Sequence, residues 1–319
     1  MRYVVYGAGA VGGVIGARLH LAGLETTLIA RGAHLEQIRR DGLVLDGASG
    51  SRVVRPAAAD TVAGVTWTDD TVVLLCVKGH QSPAALADLV AHAPVTTPVV
   101  CAQNGVANEI EALRRFAHTY GLCVMLPSLH LEPGTVVEKC SPVPGILDLG
   151  RFPAGVDATA ESVAADLRAA GFESLARPDI MAWKYRKLLV NAGGDVGAIL
   201  GPGGDAGRFA ALVRAEGEAV LKAAGIAVVT DEQDDVRRGE TLRPRADIDA
   251  YPGNSLRQSL ARGLESEIDY RAGEIVLLGR LHGIGTPANE LLRQTVLRLD
   301  GPGAVAPEAG ELLALLPTP

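Results

Sequence analysis

Gly7, Gly9 and Gly12 stand where a short, largely apolar run, Arg2-Tyr3-Val4-Val5-Tyr6, gives way to the helical pattern Val14-Ile15-Gly16-Ala17-Arg18-Leu19. Gly-x-Gly-x-x-Gly between a strand and a helix is the spacing that cradles a dinucleotide pyrophosphate. Gly7 permits the tight turn, and Gly9 lets the pyrophosphate approach the backbone. Gly12 lets the helix pack closely on the strand, so that its N-terminal N–H groups and positive dipole end face the anion. The residues Gly7, Ala8, Gly9, Ala10, Val11 and Gly12 are therefore the candidate cofactor loop.

The next strand, Glu25-Thr26-Thr27-Leu28-Ile29-Ala30-Arg31, ends on a cation and carries no acid at its tip. An acid at that place accepts from the ribose 2′-OH of NAD, whereas an Arg suits the 2′-phosphate of NADP. A guanidinium grips a phosphate bidentately and a carboxylate repels it. Arg31 thus points to NADP(H), the alternative being a solvated loop residue. Two further strand ends carry polar groups, Lys78 after Val77 and Gln103-Asn104-Gly105 after Cys101. Open α/β sheets bind ligands at such ends. Lys78 would add charge near the adenosine phosphate, and Asn104 would reach the nicotinamide and substrate. Ordinary loop chemistry is the alternative for both, since Asn-Gly is a common turn pair. Farther on, Lys184, Lys187, Asn191 and Asp195 recur at intervals of three and four and would share one helix face. Among the apolar residues Leu188, Leu189 and Val190, a Lys there is either a snorkelling surface group or an ammonium set in a cleft. Periodicity does not choose between Lys184 and Lys187.

The elements that must position these residues fall into two sets. Residues 1–178 alternate strands with helices or loops. Buried runs lie at 71–77, 98–101 and 121–125, a hairpin is expected over 42–54, and strand-like segments lie at 134–138 and 146–150. A helix over 157–170 and a short run at 173–176 complete the set. This predicts an α/β, doubly wound (Rossmann) domain with a mainly parallel sheet and antiparallel strands at one edge. From 179 to 319 the pattern is all-α. Helices are expected from Trp183, over 208–224, over 289–299 and along 255–281, where Leu256, Leu260, Leu264, Ile268, Ile275 and Leu278 keep helical spacing. The charged stretch 231–252 reads as a solvated helix and loop. A dinucleotide domain followed by a helical one would put substrate in the cleft between them.

Composition narrows the function classes. A chain of 319 residues with net charge −7 and 4% aromatic residues is poorly suited to nucleic acid. No apolar run reaches membrane-spanning length, and a core strand occupies the place of a secretory signal, so a cytoplasmic protein is expected. Cys76, Cys101, Cys123 and Cys140 lack C-x-x-C spacing, and the seven histidines lack paired ligand spacing, so no metal is expected.

Taken in order, Gly7-Ala8-Gly9-Ala10-Val11-Gly12, Arg31, Lys78, Asn104-Gly105, Lys187-Leu188-Leu189-Val190-Asn191, Asn254-Ser255-Leu256-Arg257-Gln258 and Glu267-Ile268-Asp269-Tyr270 resemble the ketopantoate reductases. These are the 2-dehydropantoate 2-reductases of pantothenate synthesis, and the resemblance spans almost the whole chain. It implies that Lys187 is the general acid and that Asn191, Asn254 and Ser255 bind substrate, with Asn104 shared between substrate and NADPH. Glu267 would sit by the cofactor and order the active site, while Gly7 to Gly12, Arg31 and Lys78 would hold NADPH. Ser255 and Glu267, on one straight helix, would stand roughly 18 Å apart, one at substrate and one at the dinucleotide.

The implied reaction is hydride transfer from NADPH to the carbonyl of a 2-oxo acid, in the first place 2-dehydropantoate to give pantoate, with Lys187 protonating the developing alkoxide. A homodimer is compatible with such an enzyme. This chain departs from the family pattern where Asp195 and Asp205 replace neutral amides. Asp195 is counted among the substrate-facing residues, and two acids facing an anionic substrate would repel it and select against ketopantoate. The alternative is that one or both point away, or pair with a cation such as Arg208, and are silent. Two other readings stand beside this one: a reductase of another oxo acid or of an imine, and a non-catalytic NADP(H)-binding regulator.

Overall fold

The continuous apolar run Thr71–Leu75 is buried along its whole length, the pattern of a strand covered on both faces. In the computed structural model, which describes residues 1–248, 255–261, 263–299 and 305–317, it is one of seven strands in the larger of two sheets. In chain order the first elements are β1 (Arg2–Tyr6), α1 (Ala10–Leu21), β2 (Thr26–Ile29), α2 (Gly32–Asp41), β3 (Leu43–Gly47), β4 (Gly50–Val54), β5 (Ala57–Ala59) and β6 (Thr71–Leu75). Then come α3 (Ser82–His92), β7 (Val99–Cys101), α4 (Asn108–Leu113), β8 (Thr119–Met125), β9 (Ser128–Leu129), β10 (Thr135–Glu138), β11 (Ile146–Arg151) and α5 (Ala158–Ala169).

The larger sheet runs β11-β8-β7-β6-β1-β2-β5. All its pairings are parallel except β11 with β8, the antiparallel edge that the strand pattern predicts. Alternate residues feed two cores. Tyr3, Val5, Leu28, Val72 and Leu74 face α1 and α5, whereas Val4, Tyr6, Ile29, Val73 and Leu75 face α3 and Phe116. The expected hairpin at 42–54 forms as β3 and β4. It does not extend the main sheet, because β3 pairs instead with β10 in a second sheet of order β4-β3-β10-β9. The run 173–176 makes only isolated bridges to β11.

Beyond these lie α6 (Ile180–Leu200), α7 (Gly204–Ala223), α8 (Asp231–Arg238), α9 (Ser255–Ala261), α10 (Ala272–His282), α11 (Pro287–Leu299) and α12 (Ala309–Ala314). Two compact units emerge. The first comprises Met1–Gln103, Asn108–Met181 and Asp231–Asp249, and the second Asn104–Ala107, Ala182–Thr230 and Ala250–Pro319. The second unit is helical around Ala192, Val196, Phe209, Val213, Leu256, Ile268, Ala272, Leu292 and Val296.

Two helical expectations change. The apolar spacing along 255–281 does not make one helix: α9 stops at Ala261, Gly263 takes φ +60°, and the chain passes through a single 3₁₀ turn at Ile268–Tyr270 before α10. The straight-helix separation of Ser255 and Glu267 therefore does not apply. The charged stretch after Thr230 is not simply solvated. Arg237, mostly buried on α8, donates to both oxygens of buried Asp148 on β11, and Arg245 donates to Asp46 and to the Glu138 carbonyl. Its cations are anchors to the first unit.

Candidate active site

In the first unit the glycine turn is built as its spacing requires. Gly7 takes φ +103°, and the Gly7 and Ala8 amides both donate to the Ile29 carbonyl, which ties the turn to β2. A Cβ on Gly12 would lie 2.1 Å from the Gly7 carbonyl oxygen and 2.8 Å from the Cβ of Cys76. A Cβ on Gly9 would meet nothing within 4 Å, so space opens above the N-terminus of α1 where the first-turn N–H groups lack helical partners. That open cradle fits a pyrophosphate. The same turn has a support that the motif does not advertise. His34 on α2 accepts from the Gly134 amide at Nδ1, so its Nε2 carries the proton and donates to the Ala8 carbonyl at 2.7 Å.

Arg31 follows β2, is exposed and precedes α2. Its charge draws the Tyr6 phenol pKa down, and the Tyr6 hydroxyl donates to Asp88 Oδ2 at 2.8 Å. Burial and the acceptor Asp88 push the Tyr6 phenol up to about 12, against the opposing pull of Arg31. Tyr6 therefore stays a neutral donor to Asp88. Asp88 also accepts from Thr61 at 2.6 Å and from the Val62 amide at 3.2 Å. Lys78 is half-buried and leads into a short 3₁₀ turn, Gly79–Gln81. Below it, desolvation pushes the Cys76 thiol up to about 12, which keeps it protonated and unreactive.

The second unit brings three predicted residues together. Lys187 Nζ on α6 donates to Asn104 Oδ1 at 2.8 Å, and Asn191 Nδ2 approaches the same oxygen at 3.5 Å. An ammonium and two amides converging in this way can donate to a carbonyl oxygen and its neighbours. Lys184, on the same face, is buried at 3% exposure, whereas Lys187 is half-buried. Glu267 is half-buried where it opens the 3₁₀ turn, its carbonyl accepting from the Tyr270 amide. Asn254 lies outside the described residues. Ser255 opens α9, and its side chain lies outside them too.

The two acids expected to confront substrate are placed otherwise. Asp195 is wholly buried at 0% exposure, and its Oδ1 accepts from Arg271 Nη2 at 2.6 Å. A carboxylate sealed from solvent and matched by a guanidinium does not meet a diffusing anion. Asp205 is exposed in the first turn of α7 and pairs with Arg208 at 3.4 Å. Neither arrangement supports selection by charge. Sequence reasoning missed Arg271, since it follows the Glu267-Ile268-Asp269-Tyr270 motif and has no periodic signature of its own. Among the described residues no group of three His, Cys, Asp or Glu side chains is placed to hold a metal, and no helix is long and apolar enough to cross a membrane.

A parallel sheet with the glycine turn at the end of its first strand, followed by a helical unit bearing a lysine–amide cluster, defines an oxidoreductase of the nicotinamide-dinucleotide class. The sequence matches the family described as ketopantoate reductase PanE/ApbA over residues 3–153, and the C-terminal part of that family over residues 179–299. The chain belongs to the ketopantoate reductase family, whose members act on CH–OH groups. It is 31% identical to the 2-dehydropantoate 2-reductase of Halobacterium salinarum, covering 93% of this chain and 98% of that one. It is 28% identical to the enzyme of the same name from Pyrococcus horikoshii, over 92% and 95%. Its structure is similar to that of a PanE/ApbA family ketopantoate reductase from Ralstonia eutropha JMP134, with TM-score 0.80, 28% identity and coverage of 94% and 98%. The fold is shared with D-mandelate dehydrogenase, at TM-score 0.80 and 24% identity over 94% and 98% of the chains.

Proposed function

We propose that the protein reduces 2-dehydropantoate to pantoate with NADPH, a step of pantothenate synthesis. The observation that carries this reading is the convergence of Lys187 and Asn191 on Asn104 in a chain of this family. NADPH, when bound, supplies the hydride. Gly7 to Gly12 would hold its pyrophosphate, Arg31 and Lys78 its adenosine phosphates, and Asn104 and Glu267 its nicotinamide side.

Lys187 orients its ammonium on Asn104 and presents its remaining protons to the substrate carbonyl oxygen. Negative charge that develops there meets a cation before it receives the proton, so one group both stabilises and protonates. Asn191, Asn254 and Ser255 would fix the carboxylate and hydroxyl ends of the substrate. Asp195 is paired with Arg271 and Asp205 with Arg208, so each of these two acids is balanced by a cation rather than set against an anionic oxo acid. The test is absorbance at the nicotinamide band with NADPH and NADH against a panel of 2-oxo acids. 2-Dehydropantoate with NADPH is expected to give the highest kcat/KM. Preference for another oxo acid would overturn the substrate, and tight binding of NADPH without turnover of any panel member would overturn catalysis.

A further inference from the structure

Helix α6 carries the sequence Asn191-Ala192-Gly193-Gly194-Asp195, with two adjacent glycines in its interior. Glycine is the poorest helix former apart from proline, so this turn is the weakest in the helix. Yet it lies directly after the residue whose amide completes the cluster around Lys187. Something other than local propensity has to hold Asn191 in place.

One side chain spans the weak turn. Arg271 Nη2 sits 2.6 Å from Asp195 Oδ1 and 3.3 Å from the carbonyl oxygen of Asn191. It therefore binds a group on each side of Gly193-Gly194. Arg271 and Asp195 are 2% and 0% exposed, so the pair sits in a low-dielectric environment where its geometry is fixed and its net charge is zero. The residue before it supports the other half of the cluster. Gly105, with φ +83°, lies against the carbonyl of Tyr270, whose oxygen is 2.7 Å from where a Cβ on Gly105 would stand. Thus Tyr270 seats the Asn104-Gly105 loop while Arg271 grips α6.

We infer that Arg271 is a positioning residue, whose guanidinium clasps Asn191 and Asp195 across the diglycine turn of α6 and, with the Tyr270 carbonyl, holds Asn191 and Asn104 in register about Lys187. This inference rests on the proposed reductase reading for its kinetic consequence, though not for its structural one. It also gives the acid at 195 a role. Asparagine there would remove the carboxylate that meets the buried guanidinium at 2.6 Å, so Asp195 and Arg271 act as a pair.

The test compares Arg271→Met, Asp195→Asn and the double variant in the full chain. Hydrogen exchange read by mass spectrometry is expected to accelerate at least tenfold in peptides covering 191–197 of each single variant, with peptides of α7 unchanged. In steady-state assays with 2-dehydropantoate, KM is expected to rise at least tenfold while the NADPH Kd is unchanged. The double variant removes both charges, so its Tm is expected to recover while KM and the local exchange stay raised. If either single variant does not fold, the double variant carries the comparison alone. Natural exchange over 191–197 in Arg271→Met would overturn the clasp, as would a double variant that recovers KM along with Tm, since that result describes a merely structural ion pair. If the natural protein turns over no oxo acid, the function fails, and the exchange data alone decide the clasp.

Discussion

Lys184 and Lys187 are three residues apart on one helix face, and burial separates their roles. Lys184 is enclosed at 3% exposure, while Lys187 lends its ammonium to Asn104. Lys187→Ala is expected to lower kcat by about 10²–10⁴-fold, the usual worth of a positioned acid, with NADPH affinity retained in a fluorescence titration. Lys184→Ala should act on Tm much more than on kcat. Arg31 gives a second residue-scale prediction. Arg31→Ala is expected to cost about 1.5–3 kcal/mol of NADPH binding, the range for a hydrogen bond to a charged group, or roughly ten- to hundredfold in Kd. NADH binding should scarcely change, and equal loss of both cofactors by calorimetry would place Arg31 outside the 2′-phosphate site. Spacing made Lys187, Asn191 and Asp195 legible as one face. It did not reveal which of them meets another residue, because Asp195 owes its burial to Arg271, far along the chain.

At the scale of elements, the glycine turn makes a sharp contrast testable. Gly12→Ala sets a methyl 2.1 Å from the Gly7 carbonyl oxygen, so α1 has to move off β1, and a large fall in Tm is expected. Gly9→Ala adds its methyl to open space and should leave Tm near the natural value. The same methyl stands where a pyrophosphate would approach, so dinucleotide affinity should fall at least tenfold, equivalent to about 1.4 kcal/mol. Unimpaired cofactor binding by Gly9→Ala would remove the pyrophosphate from that cradle. The turn was readable because its chemistry is local: three glycines, a strand before and a helix after. Strand partnership was not. The run that becomes β10 looks like any other strand, and only the register with β3 assigns it to the second sheet. The break between α9 and α10 was hidden for a related reason. Leu256 and Ile268 pack into one core with Ala272, so helical spacing persists through a segment that is not a continuous helix.

Across the whole molecule, a few buried acids tie distant stretches together. Asp148, 1% exposed, accepts from Arg177 and Arg237, and loss of one member of such a buried group costs about 3–5 kcal/mol. Asp148→Ala is expected to lower stability by about that amount in denaturant unfolding, and a change below about 1 kcal/mol would show the anchor to be dispensable. Asp88 sets an acid limit. Burial raises its pKa, but hydrogen bonds from Thr61, Tyr6 and the Val62 amide outweigh that and hold it below the ordinary carboxylate value. A carboxyl depressed by folding contributes stability above its unfolded pKa and loses it as pH falls through the folded one. Stability should therefore decline below about pH 4, and Asp88→Asn should flatten that decline in a Tm-against-pH series.

The anchoring of residues 231–248 through Arg237 and Arg245 also bears on how such a protein can be taken apart. The strand-rich unit is not encoded as one uninterrupted stretch, since the chain leaves it after Met181 and comes back at Asp231. A truncation after Met181 discards the guanidinium that covers Asp148, so the shortened chain would carry a buried acid stripped of one partner. For exchange of substrate units between relatives, the portable part is therefore not a C-terminal tail. It is a pair of cassettes, 182–230 and 250–319, together with the short loop 104–107 that carries Asn104, and the splint between the cassettes has to stay with its own sheet.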